Sequence, residues 1–208
     1  MSIKKIELDA IDRFCYEKKA IDRGAQVVAG VDEAGRGPLA GPVVAAAVVI
    51  RDQGFTERVD DSKKMTPRMR EKAYIDILNR CDVGLGVVGP EKIDEINIFN
   101  ATLLAMKMAV NELDARPDHL LIDGKMGIDV PETRTYLING EEKSLSIAAA
   151  SVVAKVTRDR IMVGEDKKYP VYGFWKHKGY GTRMHMEAIR RNGFSPIHRK
   201  TFGPFGGR

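Results

Sequence analysis

Apolar residues fall along the chain in two rhythms: unbroken runs of four to eight, and stripes that recur every three or four positions. Residues 27–31 and 43–50 are runs of Val, Ala and Ile interrupted only by Gly30, the composition of buried strands. The turn between them is dense in Gly and Pro, which predicts that the two pair as antiparallel neighbours. Residues 83–88, 119–122 and 135–138 extend the strand pattern to five. Helical spacing places Leu8, Ile11, Phe14 and Cys15 on one face of residues 4–19, an amphipathic helix (4–22 at its widest) docked outside the core. Thr66-Pro67 reads as an N-cap followed by Pro at the first helical position, opening a helix to about residue 79. Pro90 opens a short helix, and residues 98–115 form a longer one. Ser144 or Ser146 caps a helix to about residue 163, whose first half is so small and apolar that it must be buried. A last helix covers residues 182–191. Strands first, then strands alternating with helices, predict a mixed sheet covered by helices, in the α/β class. With no repeat or linker, residues 1–208 are expected to form one domain.

Charge changes this picture more than composition does. The net charge is +5, but residues 167–208 hold ten Lys and Arg against one acid, Glu187. That segment therefore carries +9 and the remainder −4. Aromatics are interleaved with the cations: Tyr169, Tyr172, Phe174, Trp175, Tyr180, Phe194, Phe202 and Phe205. Cations for phosphates and flat rings for bases or sugars make a nucleic-acid surface. No apolar run approaches the ~18–20 residues of a membrane span, and residues 3–20 are too charged for a secretory leader. Cys15 and Cys81 stand far apart without a CxxC, so neither a disulfide scaffold nor a zinc motif is supported, and a cytoplasmic location is expected.

Candidate chemistry gathers where the first strand gives out. Asp32 and Glu33 sit at the mouth of a core strand, where an unpaired carboxylate loses hydration. A divalent cation or an Arg would compensate; the alternative is a cap and a solvated turn acid. Successive strand side chains face opposite ways, so the two acids share one ion only if the strand ends there and the chain turns. Asp123 repeats the pattern at the end of a second apolar strand, with Gly124 behind it. Two such ends can lie side by side at the carboxyl edge of a sheet, where α/β folds place ligands. Three carboxylates there call for Mg2+ or Mn2+, hard cations that prefer oxygen, as in two-metal phosphodiester hydrolysis. For a fourth ligand, Glu141 lies just before the long helix and Asp159 well inside it. If the helix N-terminus faces the metals, Asp159 is at least ~15–20 Å away along the axis. Glu141 is then favoured, and Asp159 is expected to pair with Arg158 or a Lys. Gly35, Gly37 and Gly41 do not have GxGxxG spacing, and neither a Walker A sequence nor HExxH occurs. His119, His177, His185 and His198 are scattered, and Ser151 lacks a nucleophile elbow.

Four stretches together resemble one family, the type 2 ribonucleases H (ribonuclease HII): Val31-Asp32-Glu33-Ala34-Gly35-Arg36-Gly37-Pro38-Leu39-Ala40-Gly41-Pro42; Asp61-Ser62-Lys63; Ile122-Asp123-Gly124 with the helix Ala148-Ala149-Ala150-Ser151-Val152-Val153-Ala154-Lys155; and His177-Lys178-Gly179-Tyr180-Gly181-Thr182. The resemblance implies an RNase H-like fold that cuts RNA in RNA/DNA hybrids and at ribonucleotides embedded in duplex DNA. It implies Mg2+ or Mn2+ as cofactor and a cut on the 5′ side of the ribonucleotide, leaving 3′-hydroxyl and 5′-phosphate ends, in ribonucleotide removal and primer processing. Its four metal-binding acids map to Asp32, Glu33, Asp123 and Glu141. The fourth is usually an Asp after a glycine, whereas Asn139-Gly140-Glu141 is one methylene longer. The family's Gly-Arg-Gly loop maps to Gly35, Arg36 and Gly37, its substrate-sensing tyrosine to Tyr180, and further substrate contacts to Ser62 and Lys63. A monomer is expected, with no membrane association and no clamp-binding peptide to suggest a protein partner. Two other classes stay open on the residues alone: a metal nuclease such as a junction resolvase, and a nucleic-acid binder without catalysis.

Overall fold

The computed structural model describes residues 12–203. Five strands, β1 (Val28–Ala34), β2 (Val43–Ile50), β3 (Cys81–Val88), β4 (His119–Asp123) and β5 (Thr133–Leu137), form one sheet in the order β3-β2-β1-β4-β5. β2 runs antiparallel to both β1 and β3, whereas β4 is parallel to both β1 and β5. Among the described residues six helices accompany it: α1 (Cys15–Asp22), α2 (Pro67–Arg80), α3 (Pro90–Asn111), α4 (Leu145–Lys168), α5 (Phe174–His177) and α6 (Arg183–Asn192).

The apolar patterns explain the layering. α3 covers one face of the sheet through Ala101, Ala105 and Ala109, while α4 and α2 cover the other. β2 lies between the two helical layers, and a strand buried on both faces reads as an unbroken apolar run. α4 crosses β1 at Gly30, where a Cβ would stand 2.2 Å from the Ser146 carbonyl carbon, so only glycine admits the helix that close. Ser144 is the residue that caps α4, accepting a hydrogen bond from Ile147 N at 3.2 Å. A second cap had no sequence signal: the buried Glu17 of α1 accepts from Ser144 Oγ, Ser146 N and Ser146 Oγ. Its negative charge sits where the helix dipole favours one.

Three expectations need correction, and a fourth is met. The first helix lies later than 4–19, at Cys15–Asp22, with Tyr16 and Ala20 packed against Leu121, Leu137 and Ile147; Leu8 and Ile11 lie outside the described residues. The short helix expected from Pro90 and the longer one from residue 98 are both present within α3, separated by a break at Asn97, whose φ is 67°. Asn97 Oδ1 accepts from Asn100 N and recaps the second half. β1 continues to Ala34, so Asp32 and Glu33 belong to the strand. Finally, Tyr172 and Phe174 are not surface rings: with Ala40, Met162, Ala188 and Ile189 they build a small core under the basic segment. Trp175 and Tyr180 remain exposed, and Phe205 lies outside the described residues. Among the described residues no helix is long and apolar enough to cross a membrane.

Candidate active site

β1 and β4 lie parallel with Val31 opposite Ile122, which sets Asp32 and Asp123 one step further on, at the carboxyl ends of adjacent strands. Pairing with β2 carries on to Ala34, yet Asp32 turns back so that its Oδ1 accepts from Glu33 N at 2.7 Å. Asp32, Glu33 and Asp123 thus line one pocket of about 240 Å3, with Gly35, Arg36 and Gly37, Ser62, Lys63 and Tyr180 in its walls. Glu141 reaches Asp123 from beyond β5. Asn139, at φ 53°, turns the chain into a 3-10 turn at Gly140–Glu142, and Gly140 N donates to Asp123 Oδ1 at 2.7 Å. Arg13 supports this turn by donating to Glu141 O at 2.5 Å.

Electrostatically the site is unsatisfied. Burial, then the charges of Glu33 and Asp123, push the Asp32 carboxyl well above the usual range. Burial pushes Asp123 up to about 6, with the nearby Glu141 and Glu33 adding to the rise. Burial also raises Glu33, against the pull of Arg36, whose Nη1 stands 3.3 Å from Glu33 Oε1. Glu141 goes the other way: burial would raise it, but backbone hydrogen bonds and Lys63, with Nζ 3.1 Å from Oε1, outweigh that. Glu33 Oε2 and Glu141 Oε2 are buried with no hydrogen-bond partner among the described residues. Among the described residues no three His, Cys, Asp or Glu stand ready in metal-ligating geometry, and the two glutamates are paired with Arg36 and Lys63. The donor set nevertheless fits a hard divalent cation: all oxygen, mutually repelling, with two orphaned acceptors.

Asp159 is elsewhere. Its Oδ1 accepts from Lys155 Nζ at 2.7 Å, the lysine pairing expected of it. α4 also runs alongside the pocket, and Ser151, Lys155 and Arg158 line the wall. These three were not predicted as site residues. Their signal was present: positions i, i+4 and i+7 put three polar side chains on one face of a helix otherwise small and apolar there. Ser151 Oγ lies 2.9 Å from Ser62 Oγ and hydrogen-bonds the Asp32 carboxylate. Arg70 fixes the same loop, donating to Ser62 O and Met65 O.

Tyr180, 45% exposed, divides the pocket from a groove of about 600 Å3. Five cations line that groove (Arg70, Lys155, Arg160, Lys176 and Lys178) against two acids, Glu71 and Asp159. Beneath Tyr180, three histidines scattered in sequence come together. The His177 and His185 rings stack at 4.4 Å, and His185 Nε2 lies 3.0 Å from His198 Nε2. His185 Nδ1 donates to Tyr180 O at 2.9 Å, holding the tyrosine's turn in place. Burial, with the neighbouring histidines adding, pushes His185 and His198 down to about 4.

The strand order, with a parallel central pair and helices on both faces, defines an RNase H-like α/β fold. The crystal structure of ribonuclease H2 from Pyrococcus horikoshii superposes with a TM-score of 0.73 at 30% identity, covering 87% of this chain and 95% of that one. The ribonuclease HII family profile matches residues 29–204. Ribonuclease HII of Acetivibrio thermocellus is 53% identical over 199 residues, 94% of this chain and 77% of the relative. That of Syntrophobacter fumaroxidans is 52% identical over 204 residues, 98% and 88% of the two chains. The chain belongs to the ribonuclease HII family and is an endoribonuclease.

Proposed function

We propose that this endoribonuclease cuts RNA in RNA/DNA hybrids and at ribonucleotides embedded in duplex DNA, on the 5′ side of the ribonucleotide, leaving 3′-hydroxyl and 5′-phosphate ends. The observation that carries the reading is the pocket itself: buried carboxylates of raised pKa face a glycine loop and an exposed tyrosine. Asp32, Glu33, Asp123 and Glu141 would hold Mg2+ or Mn2+, which supplies an activated water and stabilises the leaving oxygen. Without that positive charge the acids would only repel a phosphodiester, which argues against a binder lacking catalysis.

The remaining residues bind and orient. Lys63 places a cation at the pocket rim, where it can reach a phosphate once released from Glu141. Backbone groups of Gly35, Arg36 and Gly37 can approach a sugar closely enough to hydrogen-bond its 2′-hydroxyl, the group that separates RNA from DNA. Tyr180 offers its ring to the next sugar, where an extra hydroxyl is felt. The cationic groove beyond Tyr180 follows as a track for phosphates. The fitting cellular roles are ribonucleotide removal and primer processing. With Mn2+ or Mg2+, the purified protein is expected to nick a DNA duplex containing one ribonucleotide and to leave the all-DNA duplex intact. Equal cutting of both would refute ribose sensing and favour a resolvase-like nuclease; loss of nicking in EDTA checks the metal.

A further inference from the structure

Two of the largest fully buried side chains are arginines, Arg158 and Arg199, each 1% exposed. Neither guanidinium is paired with a carboxylate among the described residues; their hydrogen bonds go to backbone carbonyls. Arg158 donates to Pro42 O (2.9 Å), Lys178 O (3.0 Å) and Ala40 O (3.1 Å). Arg199 donates to Gly41 O (2.9 Å), Arg36 O (3.0 Å) and Gly35 O (2.6 Å). Five of these six acceptors belong to the loop between β1 and β2. Burying an uncompensated cation is costly, and an apolar side chain of similar volume could fill the same space. The planar fork of arginine does what no apolar residue can: it fixes the direction of several carbonyls at once.

That direction matters at two peptides. Among the described residues no peptide bond is cis, and in a trans peptide the C=O and the following N–H point opposite ways. By gripping the carbonyls of Gly35 and Arg36, Arg199 turns the N–H groups of Arg36 and Gly37 away from itself. Neither N–H donates a hydrogen bond within the chain among the described residues. Both residues line the pocket with Asp32, Asp123 and Tyr180. Gly35 cannot be replaced in this arrangement: its φ is +100°, and a Cβ would stand 2.1 Å from Arg158 Nε.

We infer that Arg199 is a positioning residue for ribose recognition, setting the Arg36 and Gly37 N–H groups as a pair of donors to the 2′-oxygen. The inference rests on the ribose-sensing reading above. The guanidinium charge polarises each peptide it holds and strengthens the N–H at the far end. Arg158 extends the same grip to Lys178, two residues before Tyr180, so the loop and the tyrosine share one frame.

The test compares Arg199→Lys with the wild type, since lysine keeps the charge but lacks the planar fork. Binding is measured with Ca2+, to support binding without turnover, on one DNA duplex with and without a single ribonucleotide. The wild type is expected to prefer the ribonucleotide duplex. In Arg199→Lys that preference should fall at least fivefold toward unity, while affinity for the all-DNA duplex stays within twofold. A folded variant with unchanged preference overturns the inference, as does one that loses affinity for both duplexes equally. A wild type without preference would instead refute the underlying ribose-sensing reading. Should the variant fail to fold, the wild type still decides: the Arg36 and Gly37 amide NMR signals must shift differently with the two duplexes, and identical shifts overturn the inference.

Discussion

The carboxyl edge of the sheet and the seam between the glycine loop and the C-terminal segment both bury charge, and they treat it differently. At the edge, Asp32, Glu33, Asp123 and Glu141 crowd together, and two of their oxygens have no partner. At the seam, Arg158 and Arg199 are buried more deeply, yet six carbonyls receive their protons. A buried charge left short of partners is a place for something to bind. One whose partners are all backbone is a brace. On the proposed reading, the contrast separates what reacts from what holds, although both regions are rich in ionisable groups.

The comparison breaks most visibly at Asp123. Asp123→Asn removes a charge its neighbours repel, so cleavage should fall by about 10²–10³-fold, the loss typical when one electrostatic stabiliser of a transition state is deleted. Hybrid binding should persist. The same variant should be more stable at pH 7 by about 1 kcal/mol, discounted for the solvent that reaches the group; denaturant midpoints read it. Full activity would remove Asp123 from the site.

Acid separates the regions next. Folded His185 and His198 titrate near 4, below the ordinary 6.5, so the unfolded chain takes up protons first as pH falls. Stability present above pH 6.5 should drain away between 6.5 and 4, by on the order of 3 kcal/mol for each ring that titrates independently. Asp123 works in the opposite sense: its folded pKa is raised, so between about 6 and 3.8 protonation favours the fold. Asp123→Asn should therefore steepen the acid loss seen in denaturation curves at pH 7, 5.5 and 4.5.

Smaller effects sharpen the boundary of the site. Glu141→Gln should lower nicking roughly 30-fold, or about 2 kcal/mol, whereas Asp159→Asn, which only frees Lys155, should stay within a factor of about three of wild type; the reverse order would exchange their roles. Tyr180→Ala should cost about tenfold on a single-ribonucleotide duplex, within the ~1–3 kcal/mol of an aromatic stacking contact. It should leave general duplex binding nearly unchanged; unaltered nicking would count against the tyrosine's proposed contact with the sugar.

Much of this was legible in the residues, and the exceptions have physical causes. Apolar runs identified β1 to β4, because strands packed under helical layers need little polar face; β5, the exposed edge strand Thr133–Leu137, was marked only by its apolar end. Thr66-Pro67 and Ser144 marked helix starts, because capping is a local bond between near neighbours. The acids at strand ends could be read because charge is conspicuous after an apolar run. What could not be read was long-range. Glu17 caps a helix 127 residues away, and Arg199 grips carbonyls more than 150 residues before it. The histidine stack was equally invisible, since rings on α5, on α6 and past its end meet only after those segments fold together. Tyr172 and Phe174 misled because interleaving with lysines looks the same whether a ring faces solvent or packs beneath it.

The distance from Gly35 to Arg199 also sets an order of events during synthesis. The ribosome releases Gly35 with its carbonyl unclaimed, and the side chain that claims it is made 164 residues later. At about 5–20 residues per second this interval lasts roughly 10–30 s. Over that time β1 and β4 can pair and bring the acids together while the loop beside them still lacks its final shape. On the proposed reading, a nascent chain would thus hold its metal-binding acids before it can choose a substrate, with fidelity the last property gained.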